Sequence, residues 1–186
     1  MSEFDINWSN KHNTWNLIWL PIVIIINIIL LLDWTPFVET VFTNTFITYL
    51  SLDYVWLLIK PCSVSSPEVI LFHHCVTIAG IATIPYVDQD MKYIIVLASL
   101  VEICTWMRLL KNVYKNTIIF HILFLISWVI IRLIIGPICL MLVYKRTIND
   151  FTKINILLLF VAFVLNVLSV IWTFQLIKVI KKRYSE

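Results

Sequence analysis

The sequence predicts an all-α integral membrane protein with about six transmembrane helices. Three observations lead there. Hydrophobic residues make up 61% of the 186-residue chain against 13% charged residues, and the mean hydropathy is +0.93, outside the range of soluble globular domains. The apolar residues run in long blocks, near the roughly 20 residues a helix needs to cross the hydrocarbon core. They show no alternation of polar and apolar residues over segments of about ten, the pattern of a transmembrane barrel.

The blocks place spans at Trp15–Asp33, Val38–Ile59, Pro67–Tyr86, Met91–Leu110, Thr117–Tyr144 and Ile154–Ile177. The first is too long for a signal peptide and is followed by no small-residue cleavage site, so it reads as a retained span. The second is the least hydrophobic, interrupted by Thr43, Asn44, Thr45, Thr48, Ser51 and Asp53. Those residues predict that one of its faces packs against protein or a cavity. In the fifth, Gly136-Pro137 predicts a kink, because proline lacks an N–H and its ring collides with the carbonyl four residues back. The connecting loops leave room only for turns. Residues 1–34 form an N-terminal segment with the first helix, and residues 35–186 the main helical domain, within one membrane domain overall.

Orientation follows from the basic residues near the span ends. One side collects nine of them: Lys11, Lys60, Arg108, Lys111, Lys115, Lys178, Lys181, Lys182 and Arg183. The other has four: Lys92, Lys145, Arg146 and Lys153. Both termini are therefore expected in the cytosol. The net charge of +3 reflects this bias and does not indicate nucleic-acid binding.

The functional signal is polar and buried. His73 and His74 are adjacent within the apolar run Pro67–Gly80, where imidazoles cost insertion free energy and so mark a site by default. At about 1.5 Å of rise per residue they lie roughly 10 Å into the bilayer. Asp53 on the second span and Glu102 on the fourth reach a similar depth, which predicts a polar chamber opening to the cytosol. Arg132 lies about 22 Å into the fifth span by the same rise, so pairing with either acid requires it to reach back. Its permanent charge needs a carboxylate, backbone carbonyls or water. His73 shares a helical face with Thr77 and Gly80, while His74 points about 100° away. That phase favours His73 for chemistry and His74 for orientation, although their flanking angles also allow the reverse, with Asp53 and Glu102 as acid partners. Tyr49 shares a face with Asp53, and Thr105 and Trp106 share one with Glu102. Asn166, Ser169 and Thr173 stripe the sixth span as interhelical hydrogen-bonding groups.

Other chemistries fail on count or spacing. A di-iron desaturase needs several histidine boxes, whereas this chain holds His12, His73, His74 and His121. Zinc bound by both histidines and Glu102 would lack i, i+4 histidine spacing. No metal or other cofactor is expected. Cys62, Cys75, Cys104 and Cys139 read as small apolar residues. His12 and His121 are expected at the interface, and Trp8, Trp15, Trp19, Trp34, Trp56 and Trp106 in aromatic belts near the span ends.

Tyr49 and Asp53 on one span are followed by Ser66-Pro67 through His73-His74-Cys-Val-Thr77. Val101-Glu102-Ile-Cys-Thr105 and Ile131-Arg132-Leu-Ile-Ile-Gly136-Pro137 come next. In this order and spacing the chain, from Thr35 onward, resembles TLC-domain proteins, the fold that ceramide synthases share with several smaller membrane proteins. The resemblance implies a TLC-type bundle of six helices around an internal lipid chamber faced by the histidine pair. It implies His73, His74, Glu102 and Asp53 as catalytic candidates and Tyr49, Thr77, Thr105, Trp106 and Arg132 as substrate contacts. The ceramide synthase motif continues to a His-Asp-x-x-Asp, where this chain has Glu102 and Thr105. That departure points to the branch linked to lipid homeostasis, sensing or transfer. The alternatives are an acyltransferase with acyl-CoA as co-substrate, and a structural bundle or transporter. Membrane lipids are the expected partners, a homodimer is compatible, and the resemblance implies an endoplasmic reticulum or other endomembrane location.

Overall fold

The computed structural model describes residues 3–64, 66–115 and 117–185, with side chains between 7 and 181. Within them the chain is helical throughout. Helix α1 (Glu3–Leu32) begins well before the apolar block that predicted it. Helix α2 (Pro36–Ile59) starts where Thr35 Oγ1 accepts from Val38 N at 3.2 Å and proline opens the first turn, where its missing N–H costs nothing. Helix α3 (Pro67–Ile81) also opens on proline. Helices α4 (Gln89–Ser99) and α5 (Val101–Val113) meet at Leu100 and together form one span.

The fifth span combines α6 (Ile118–Ser127), a π-helical stretch (Trp128–Ile135) and α7 (Gly136–Asn149). The π-helix is the structure's answer to Pro137. Gly136 N donates to the Ile131 carbonyl five residues back, so the ladder widens by one residue instead of breaking where the sequence predicted a kink. The last helix, α8, runs Lys153–Ser185. Among the described residues, five segments are long and apolar enough to cross a membrane. Helix α2 has the length, at 24 residues, but its polar residues dilute its hydropathy.

The six spans close into a ring. Helix α1 packs on α2, α2 on α3, α3 on α8, α8 on α7, α6 and α7 on α4–α5, and α5 back on α1. The spatial order is therefore 1-2-3-6-5-4. Close approach of α3 to α8 depends on Gly80, where an added Cβ would stand 3.0 Å from Val161 Cγ1. Outward faces are apolar: Ile25, Leu58, Val129 and Phe160 are exposed, as lipid contact requires.

The interior divides by depth. Toward the end where α2 and α4 begin, Leu20, Val23, Phe42, Phe46, Met91 and Val96 fill the ring with a continuous apolar core. Toward the end where α1 begins, the buried polar residues His12, Asn16, Asp53, His73, His74, Glu102 and Arg132 gather beside a smaller apolar cluster of Cys104, Phe124, Trp128 and Ile131.

Candidate functional site

Helical spacing builds the first part of the site. His12 and Asn16 lie one turn apart on α1, and Tyr49 and Asp53 one turn apart on α2, so two stacked polar pairs face each other where the helices pack. Asp53, 2% exposed, joins three helices. His12 Nε2 stands 2.8 Å from its Oδ1, and His74 Nε2 stands 2.7 Å from its Oδ2. Asn16 Nδ2 donates to Oδ1 at 3.3 Å and lies 3.2 Å from His12 Nε2, and Tyr49 OH donates to Asn16 Oδ1 at 2.7 Å. An ionised carboxylate accepts only, so both imidazoles present Nε2–H to it, and their Nδ1 atoms are buried without a hydrogen-bond partner.

His73 leaves the same helical turn in another direction. Its ring centroid is 5.6 Å from that of His74, and its Nε2 is 3.9 Å from Glu102 Oε1, ion-pair range but beyond a direct hydrogen bond. Trp172 of α8 meets the His73 ring edge to face at 5.4 Å. The two rings turn to different partners, in line with the divergence of their helical phases. Thr77 Oγ1 donates to the His73 carbonyl at 2.9 Å, a bond within its own helix.

Arg132 completes the second part. Its Cζ lies 4.7 Å from the Trp128 ring centroid and 4.9 Å from that of Trp172, and its Nη1 donates to Ser169 Oγ at 3.4 Å. Trp128 is itself fixed by Nε1 donating to Thr173 Oγ1 at 3.0 Å. His73 and Arg132 line one cavity of about 50 Å³ together with Val101, Ile135, Asn166 and Ser169. A second space, of about 610 Å³, lies along α7 and α8 and is lined by Pro137, Leu140, Met141, Phe160 and Phe163 among others. Among the described residues, no group of three histidine, cysteine or acidic side chains is arranged to hold a metal ion.

Several expectations need correction. His12 is not interfacial but 5% exposed and bound to Asp53, because α1 starts at Glu3 and carries residue 12 well inside the helix. The signal that could have found it is the matched i, i+4 spacing of His12 with Asn16 and Tyr49 with Asp53. Arg132 is not displaced beyond the other polar groups, since it shares a cavity and the Trp172 ring with His73. Among the described residues no carboxylate oxygen lies within 4.0 Å of its guanidinium: Asp53 is occupied by two imidazoles, and Glu102 acts on it only through space. Indole faces and Ser169 hold it instead. Tyr49 is buried one step behind Asp53, Trp106 packs against the apolar core, and Thr105 is half-buried on α5. Asn166, Ser169 and Thr173 do bridge to the fifth span, Asn166 Nδ2 donating to the Gly136 carbonyl at 3.3 Å.

Comparison with known proteins bears on residues 11–178, which match the family model for the TLC domain. Neither a curated protein nor a solved structure matches the chain.

Proposed function

Because the chain belongs to the TLC-domain family of membrane proteins, we propose that it handles membrane lipids, in homeostasis, sensing or transfer, through the buried histidine pair of α3. The observation that carries this reading is the division of labour within the pair. His74 is locked by Asp53 at 2.7 Å, while His73 Nε2 stands 3.9 Å from Glu102, beyond a direct hydrogen bond, and His73 borders the cavity shared with Arg132. Asp53, His12 and His74 form a rigid polar wall. His73, Glu102 and Arg132 meet the ligand. The site lies toward the end of the bundle where α1 begins, the side that the nine-to-four basic bias assigns to the cytosol, and an endomembrane is the location that the family resemblance implies.

An acyl-CoA-dependent acyltransferase is the second reading, and the Asp53–His74 contact favours it. A carboxylate that fixes an imidazole tautomer is the usual support for a general base. Against it, the cavity beside His73 is about 50 Å³, room for a few waters and far below the roughly 300 Å³ at which small-molecule pockets begin. The lipid-handling reading needs only a lipid head there.

Lipid mass spectrometry of the purified protein and of expressing cells, wild type beside His73→Ala, tests the proposal. A lipid class retained or shifted by the wild type and lost in the variant supports it. Indistinguishable lipid profiles would sink it.

A further inference from the structure

The groove along α7 and α8, of about 610 Å³, falls within the roughly 300–1,000 Å³ of small-molecule sites. Pro137, Met141 and Tyr144 line it on α7, and Ile156, Phe160 and Phe163 on α8, among others. The two helices run antiparallel from a short turn at 150–152, so Pro137 and Phe163 mark the inner end of the groove and Tyr144 and Ile156 the end beside the turn. Seven residues separate the two ends on each helix. That is about 10 Å, most of one leaflet's half of the roughly 30 Å hydrocarbon core.

At the turn the same faces become basic. Lys153, Ile156, Phe160 and Phe163 fall at i, i+3, i+7 and i+10 on α8, and Lys145 stands one turn beyond Met141 on α7, so both lysines continue the stripes that line the groove. Both are exposed, and neither has an ion pair or hydrogen bond among the described residues. The other two basic residues of that membrane side are taken: Lys92 donates to Glu39 at 2.8 Å, and Arg146 pairs with Asp88. Asp150, the acid of the turn, accepts from Asn155 Nδ2 at 3.3 Å. The two cations without an acid are thus the two at the mouth of the groove. Tyr144, 53% exposed, ends the apolar lining at the level of Lys145. We propose that this groove binds an anionic glycerophospholipid of the surrounding bilayer, one acyl chain lying between α7 and α8 and its phosphate on Lys145 and Lys153. The site goes beyond the lipid-handling reading and does not depend on it, since it lies on the outer face and shares no lining residue with the cavity beside His73.

The full chain, purified in detergent, is titrated with phosphatidylglycerol and phosphatidylcholine of matched acyl chains and read by native mass spectrometry. In nanodiscs it is photolabelled with a phosphatidylglycerol carrying a diazirine on one acyl chain. Two lysines beside an anionic head should favour phosphatidylglycerol by about thirtyfold, a difference of roughly 2 kcal/mol. The label should map to Met141, Phe160 or Phe163. Lys145→Gln combined with Lys153→Gln should bring phosphatidylglycerol down to the affinity of phosphatidylcholine. Equal affinity of the two lipids for the wild type, a preference that survives in the folded double variant, or labels confined to other helices each overturn the inference. If the double variant does not fold, the lipid comparison and the label map decide on the wild type alone. A photo-cross-linking residue placed at Met141 should capture phospholipid. Capture of a second copy of the chain instead assigns the groove to a protein interface and overturns the lipid. Lipid held through His73 is read separately by the His73→Ala comparison, so this inference and the lipid-handling reading fall independently.

Discussion

His74 Nε2 stands 2.7 Å from Asp53 Oδ2, and this contact makes the carboxylate the hub of the polar half. Asp53 spends its other oxygen on His12 at 2.8 Å, so helices α1, α2 and α3 are tied through one buried acid. Removing the hub strands two imidazoles and an amide, whereas removing one spoke strands one oxygen that Asn16 still reaches.

Asp53→Asn should therefore destabilise the fold by about 3–5 kcal/mol, the range for breaking a buried charged pair. His12→Ala should cost less, about 1–3 kcal/mol. Chemical denaturation in a fixed detergent gives both values. The reverse ranking would mean that Asp53 is not the organising group.

Arg132→Leu should leave stability within about 2 kcal/mol of the wild type. It forfeits two cation–π contacts worth roughly 0.5–2 kcal/mol each, but it also removes a buried cation that has no carboxylate partner. His73→Ala should likewise fold, and should change the retained lipids. A loss of about 3–5 kcal/mol for Arg132→Leu in the same denaturation assay would reveal a carboxylate partner.

Gly80→Ala should destabilise by about 1–3 kcal/mol, the usual range for overpacking. Its new Cβ would meet Val161 Cγ1 at 3.0 Å. Val161→Ala in the same chain should restore part of the loss. If the double variant is no better than the sum of the single ones, the α3–α8 approach is not limited at that point.

The cytosolic placement of both termini predicts that a glycosylation acceptor fused at the C-terminus stays unmodified, while one inserted between Lys145 and Lys153 is glycosylated. Expression in a glycosylating host with an electrophoretic mobility readout decides it. Modification at the C-terminus reverses the orientation.

The sequence by itself determined the class of fold and much of the site's membership. Long apolar blocks permit only helices in a bilayer, because every backbone polar group must be satisfied inside its own segment. An ionisable residue is equally conspicuous against that background, so His73, His74, Asp53, Glu102 and Arg132 stood out without any structure. Helical phase was also legible: it separated the two imidazoles, and the structure sends them to Asp53 and toward Glu102.

Only the tertiary structure decided who meets whom. Depth along separate helices is one coordinate, and it does not say which helices are neighbours. The ring order 1-2-3-6-5-4 puts α1 beside α2, which draws His12 from an expected interfacial place into the centre. The same order sets α8 between α3 and the fifth span, and so places Trp172 between His73 and Arg132. The π-helix before Pro137 was hidden as well, since proline tells the backbone only that one hydrogen bond must go. Whether the ladder breaks or widens depends on the packing around it, which the sequence of one helix does not contain.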